Sequence, residues 1–336
     1  MKAMLVDEKK NLVWSEVDDP VLEDDKIIVK IHAVALNRAD LLQREGKYPS
    51  PAGWPSWMGL ELAGEIIEMG KKAQEKTNFK IGDKVCALVG GGAYATKIAI
   101  PYQLVLPMPK GLTYEEASAI PEAYVTSYLN LFEEGKLQKG QTVYIAAGAS
   151  GLASAAIPMA KAFGAKVITS VMTEEVKEKI KHLNQIQEAG QNADYVIVQE
   201  KESISEAFKR FEEEGHPVNV AMDCLAGKDL GEALSYMASG GYWILISTLA
   251  GITTEIQLRP VLTKGLHLVG SMLRKRTNDE KEQLLKHLQR DFFKYFEDGS
   301  IKPTIYRVLA ISEVEEAHQL LLTNKNVGKV VLRIIK

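Results

Sequence analysis

Cysteine is nearly missing from this sequence: Cys86 and Cys224 are the only two among 336 residues. Each lies in an apolar, strand-like stretch and reads as a buried free thiol, not half of a disulfide. The expected setting is a reducing, cytoplasmic one. Clustered Cys or His, which a structural zinc needs, is also absent. The histidines at 32, 182, 216, 267, 287 and 318 show neither HxxxH nor HExxH spacing. They read as core or surface residues, and no metal is expected. No GxSxG elbow and no Cys–His pair offers a nucleophile. Charge of one sign is not in excess, since 41 Lys and Arg face 44 Asp and Glu. Neither nucleic acid nor an anionic membrane is an expected partner. No apolar run reaches the roughly 18 residues of a membrane span, and MKAMLVDEKK lacks a signal peptide's apolar core.

What is present fits a soluble two-domain enzyme, with 46% hydrophobic and 25% charged residues. Residues 1–110 read as mostly β, with strands over 3–6, 26–35, 61–69 and 84–89. The segment 48–57, YPSPAGWPSW, is a loop, and Gly90-Gly91-Gly92 is a flexible turn. A helix is expected over 112–119, opened by Thr113 with Glu116 as its capping box. Pro121 is expected to interrupt it before a second helix over 124–134. From 143 onward strands (143–147, 166–171, 195–198, 218–223, 243–247, 267–272) alternate with helices (151–163, 174–183, 204–213, 228–237). That rhythm implies an α/β fold, a doubly wound parallel sheet that binds its ligand outside the strand C-termini. The tail breaks it with helix 280–296, strand 305–308, helix 314–322 and strand 329–334, and is expected to return to the first domain.

The stretch 143–164, VYIAAGASGLASAAIPMAKAFG, organises the middle. Its turn approximates a dinucleotide fingerprint, with Gly148, Ser150 and Ala153 in the three small-residue slots. Small residues there permit a sharp turn, close approach of backbone N–H groups to a pyrophosphate, and tight packing of helix on strand. A plain packing turn remains the alternative. Gly164 is a candidate C-cap, and Pro158 is expected to kink the helix. The second strand runs out through Ile168-Thr169-Ser170-Val171-Met172-Thr173 without the acid that would accept a ribose 2′-OH. The hydroxyls of Ser170 and Thr173, with Lys177 beyond, suit a 2′-phosphate, so NADP is favoured over NAD. The other reading takes Glu174, Glu175, Lys177 and Lys179 as one solvated helix face.

Several stretches then carry a resemblance: ALNRADLLQREGKYP at 35–49, GLELAGEIIEMG at 59–70, GGGAYA at 90–95, IPEAYVTSY at 120–128, AGASGLASAAI at 147–157, GSMLRKR at 270–276 and NKNVGKVVL at 324–332. Together they resemble the medium-chain dehydrogenase/reductase superfamily, and within it the zinc-independent NADPH:quinone oxidoreductases, especially the p53-inducible type. The resemblance implies a GroES-like, β-rich catalytic domain (1–120 and 271–336) and a Rossmann cofactor domain (121–270). It places Asn37, Leu60 and Glu122 where zinc relatives hold their catalytic metal, and Leu60 is no ligand. It implies NADPH contacts from Thr126, from Ser150, Gly151, Leu152 and Ala153, from Leu245, Ile246, Ser247 and Thr248, and from Ser271, Met272 and Leu273. Tyr48 and Asn37 match positions lining the nicotinamide and substrate cleft, and either would donate a hydrogen bond to the product oxygen. Departures from the pattern are Ala153 for Gly, Pro158 for Gln, Gln199 for an aromatic residue, and Val176 in the slot of the usual Lys. The implied activity is direct hydride transfer from NADPH to a quinone. The rivals are reduction of an enal or enone double bond, and a cofactor-binding protein with negligible turnover. A homodimer joined through strand 267–272 is expected.

Overall fold

The computed structural model describes residues 1–186 and 192–334, without the side chains of 182–186. The expected histidine at 182 therefore lies outside the described side chains. Two compact units emerge, Met1–Val125 with Arg276–Lys336 and Thr126–Lys275. The junctions fall at 125/126 and 275/276, inside a helix and after a short turn, each five residues past the expected ones.

The first unit opens with the hairpin β1 (Lys2–Val6) and β2 (Leu12–Glu16), followed by β3 (Lys26–Ala35). Helix α1 (Arg38–Arg44), β4 (Glu61–Met69), α2 (Lys71–Lys76), β5 (Lys84–Leu88), β6 (Lys97–Pro101) and β7 (Val105–Pro107) come next. α3 (Tyr114–Ser118) opens on the expected Thr113–Glu116 capping box. Pro121 does not interrupt a helix. It is the first residue of α4 (Pro121–Tyr128), where its missing N–H has no helical partner to lose. A π-helical stretch, Leu129–Glu134, replaces the rest of the helix expected there.

The second unit holds β8 (Thr142–Ile145), α5 (Ala153–Phe163), β9 (Lys166–Val171), α6 (Glu174–Ile186) and β10 (Tyr195–Val198). It continues with α7 (Ile204–Glu213), β11 (Val220–Asp223), α8 (Lys228–Ala233), β12 (Tyr242–Leu245), α9 (Leu258–Lys264) and β13 (His267–Gly270). All the strand pairs are parallel, in the order β10-β9-β8-β11-β12-β13. Numbered within the sheet this is 3-2-1-4-5-6, the doubly wound dinucleotide-binding order. Beneath it Tyr144, Phe208 and Trp243 pack with Ile197, Ala221 and Leu230 in one buried cluster. Pro158 lies inside α5 without ending it, and the helix stops at Gly164 in the left-handed conformation.

The tail supplies α10 (Asn278–Glu297), β14 (Ile305–Ala310), α11 (Val314–Leu322) and β15 (Lys329–Arg333). It does return to the first unit. The first sheet runs β14-β15-β3-β4-β5-β7, with β6 also on β3. β3 is its hub: residues 27–33 pair with β4, while 26–30 pair with β6 and 33–35 with β15. Hence β3 is buried almost throughout instead of alternating. Both cysteines are free; Cys86 is buried as expected, whereas Cys224 is only half-buried because it lies just past the end of β11. Among the described residues no helix is long and apolar enough to cross a membrane.

Candidate functional site

In the first unit, the end of β3, the start of α1, the start of β4 and the start of β15 bring one polar cluster together. Asn37 precedes α1 and closes a capping box with Asp40, its own N–H donating to Asp40 Oδ2 at 2.8 Å. The Asn37 amide is held at both ends. Lys329 Nζ donates to its Oδ1 at 2.7 Å, and its Nδ2 donates to Glu61 Oε1 at 3.0 Å. Lys329 and Glu61 close the triangle with an ion pair of 2.6 Å whose side chains are 5% and 0% exposed. The other Glu61 oxygen accepts the Glu122 N–H at 2.8 Å.

A second layer supports the first. Asp40 is fully buried and accepts the Gly59 N–H at 3.0 Å. Gly59 has φ +103°, and a Cβ there would lie 2.6 Å from the Ala93 Cβ, so the neighbour of Leu60 has to be glycine. The Tyr94 hydroxyl lies 3.3 Å from Asp40 Oδ2 and 3.4 Å from His318 Nε2. Burial pushes the Asp40 carboxyl up to about 6 and the His318 imidazole down to about 4. Glu122 is half-buried as a residue, but enclosure of its carboxyl, followed by the nearby Glu61 carboxylate, pushes it up to about 7. The Tyr124 hydroxyl is buried and has no hydrogen-bond partner among the described residues. Leu60 is 5% exposed and contributes only apolar surface. No group of three His, Cys, Asp or Glu among the described residues is placed to hold a metal.

In the second unit, the expected cofactor residues other than Thr126, which lies in α4, stand at or after the C-terminal ends of β8, β9, β12 and β13. After β8 the chain turns through Ala147 at φ +55° and Gly148, whose N–H donates to Ser170 O at 2.8 Å. A Cβ on Gly148 would lie 2.5 Å from Thr169 Oγ1, which explains the one true glycine of the fingerprint. Ser150 Oγ accepts the Ala153 N–H at 3.0 Å, so the small-residue slot also caps the turn, while Gly151 and Leu152 remain half-exposed. Beyond β12, Leu245, Ile246 and Ser247 are half-buried and Thr248 is exposed. Beyond β13, Met272 is exposed and Leu273 buried. Ser271 is 8% exposed, and its Oγ has no hydrogen-bond partner among the described residues. An orphaned hydroxyl there suits a ligand that supplies its missing partner, and the residues present fit a bound dinucleotide. Thr126 is buried, and its carbonyl accepts Asn130 Nδ2 at 2.6 Å.

Some expected roles change. The Ser170 hydroxyl is bonded to the Tyr144 hydroxyl at 2.8 Å within the core and is not presented to a phosphate. Thr173, just past the end of β9, and Lys177, in α6, remain beyond the strand end. Lys177 is paired with Glu174 at 3.1 Å. Tyr48 is half-buried on the loop after α1. Sequence reasoning passed over Glu61, Lys329, Asp40 and Lys201. For Glu61 and Lys329 the available signal was an acid and a lysine embedded in the apolar runs GLELAGEIIEMG and VGKVVL, because charged residues are seldom buried unless paired; Asp40 and the exposed Lys201 stand in no such run.

The chain is similar to known proteins. Residues 23–110 match the alcohol dehydrogenase GroES-like domain family, and residues 151–290 match the zinc-binding dehydrogenase family. A quinone oxidoreductase-like protein 2 homolog of Nematostella vectensis is 32% identical over 335 residues, covering 96% of this chain and 88% of its own. An acryloyl-coenzyme A reductase of Sulfurisphaera tokodaii is 29% identical over 362 residues, covering 99% and 100%. The crystal structure of the quinone oxidoreductase of Thermus thermophilus, solved also with NADPH, superposes with a TM-score of 0.78 at 25% identity, covering 99% and 100%.

Proposed function

The chain belongs to the medium-chain dehydrogenase/reductase superfamily, and from that premise we propose that it is an NADPH-dependent, zinc-independent quinone reductase. It is an oxidoreductase of that family; the acceptor, the phosphorylated cofactor and the lack of zinc are the proposal. The observation that carries it is the Lys329–Glu61–Asn37 triangle. An ammonium 2.7 Å from Asn37 Oδ1 sets a positive charge against the first of the three positions at which zinc relatives hold their metal, and the buried, apolar Leu60 offers no ligand at the second. A carbonyl acceptor then receives no Lewis acid from these residues, and its own ring must supply the electrophilicity. A quinone does.

When bound, NADPH supplies the hydride. The chain supplies proximity and orientation. The turn from Gly148 to Ala153 would hold the pyrophosphate, Ser271 would gain its missing partner, and Lys177 would meet the 2′-phosphate. Asn37 has its Nδ2 committed to Glu61 at 3.0 Å and to Ala35 O at 3.4 Å, so it positions and does not donate. Donation to the anionic product oxygen falls to the Tyr48 hydroxyl. A second reading, reduction of an activated C=C bond, is favoured by the acryloyl-coenzyme A reductase relative. The proposed setting is the cytoplasm, and the proposed assembly is a homodimer. β13 is an edge strand, and Leu268 (48% exposed) with Leu262 (82%) offers apolar surface for a second copy. Steady-state oxidation of NADPH with phenanthrenequinone, benzoquinone and an alkenal tests the reading. A higher kcat/KM on the quinones is expected, and preference for the alkenal would overturn it in favour of the second reading.

A further inference from the structure

The C-terminal ends of β9 and β10 carry a charge cluster that the proposed reaction does not use. The chain after β10 is stitched to the chain after β9, Gln199 N–H donating to Val171 O at 2.9 Å and Glu200 N–H to Met172 O at 3.1 Å. This holds Lys201 over the first turn of α6. There the two oxygens of Glu174 each take a different lysine, Oε1 with Lys177 Nζ at 3.1 Å and Oε2 with Lys201 Nζ at 2.7 Å. The Glu200 carboxylate is engaged separately, accepting the Glu174 N–H at 2.9 Å. In a sheet of this winding, the end of the second strand is where the adenosine ribose rests.

We propose that Lys177 and Lys201 form a clamp for the cofactor's 2′-phosphate, and that the Glu174 carboxylate between them is a resident anion which the phosphate displaces. The proposal rests on the NADPH reading above. Two lysines facing one carboxylate, with an oxygen apiece, already have the spacing an oxyanion needs. The pairs are breakable, because the Lys201, Lys177 and Glu174 side chains are 62%, 36% and 35% exposed, and exposed pairs contribute little. A phosphate monoester brings a charge near −2 against the carboxylate's −1. Both lysines hold the Glu174 carboxyl below its usual range, so it leaves by exchange and not by protonation. Lys201 also stands two places beyond Gln199, whose amide is turned away to Asp229 Oδ2 at 3.0 Å.

The test measures dissociation constants of NADPH and NADH by calorimetry for the full chain and for the variants Glu174→Gln and Lys201→Ala. Glu174→Gln is expected to tighten NADPH about three- to tenfold, and Lys201→Ala to weaken it about tenfold, each leaving NADH within about twofold. The unchanged NADH constant certifies that each variant is folded. Equal shifts for both cofactors, weaker NADPH binding by Glu174→Gln, or no selective loss in Lys201→Ala would overturn the clamp while leaving the reductase reading standing. A wild-type chain that binds neither dinucleotide would overturn both.

Discussion

Two ion pairs of nearly equal length sit in the two units of this chain. Lys329–Glu61 spans 2.6 Å in the first, with side chains 5% and 0% exposed; Lys201–Glu174 spans 2.7 Å in the second, at 62% and 35%. Distance does not distinguish them. Burial does, because a charge removed from water is costly unless its partner stays, whereas an exposed one exchanges readily with solvent or ligand. The buried pair is further tied to Asn37 and through Glu61 to the Glu122 backbone, so it fixes geometry. The exposed pair is suited to be opened. A fixed site near the expected substrate residues and a displaceable one near the expected cofactor phosphate are different uses of one interaction.

The largest effect that separates them is on stability. Lys329→Met strands the Glu61 carboxylate in the interior and is expected to cost about 3–5 kcal/mol in urea unfolding. Adding Glu61→Gln to it should recover part of that loss. Lys201→Ala should cost less than about 1 kcal/mol in the same assay. Equal losses for the two lysine variants would break the comparison.

An intermediate effect is expected from pH. The Glu122 carboxyl titrates near 7 in the folded chain against 4.5 as its ordinary value, raised by burial and by Glu61 and opposed by Lys329 and Lys281. A raised folded value means the stability it contributes is fully present below about 4.5 and is lost as pH climbs through 7. Glu122→Gln should therefore match wild type near the acid end of that window. It should exceed wild type by on the order of 1–3 kcal/mol above the window. A difference that stays constant across the window would mean the carboxyl is not held neutral.

The alternating half was legible because apolar strands and amphipathic helices repeat locally. β9, β10 and α7 begin and end where their patterns do. Pro121 misled because a proline reads as a break, whereas its position at a helix start is decided by what precedes it. α1 was unread because it is short and its signal, Asn37 with Asp40, is a capping box that closes only in three dimensions. The Ser150 turn was visible in residue size alone, while the inward turn of Ser170 depended on the Tyr144 hydroxyl across the sheet. Lys329 and Glu61 stand far apart in sequence, and only the pairing of β15 with β3 and β3 with β4 brings them together.

The most direct test of the central claim, hydride transfer from NADPH to a quinone with the chain supplying position alone, is single-turnover stopped flow. NADPH deuterated at the transferring carbon would be mixed with phenanthrenequinone and either wild type or Tyr48→Phe. The account predicts a primary isotope effect in both, and a roughly ten- to a hundredfold slower step in Tyr48→Phe, about the 1.4–2.7 kcal/mol of one hydrogen bond strengthened in the transition state. Loss of all transfer in Tyr48→Phe with NADPH binding unchanged would make Tyr48 an essential acid and contradict it.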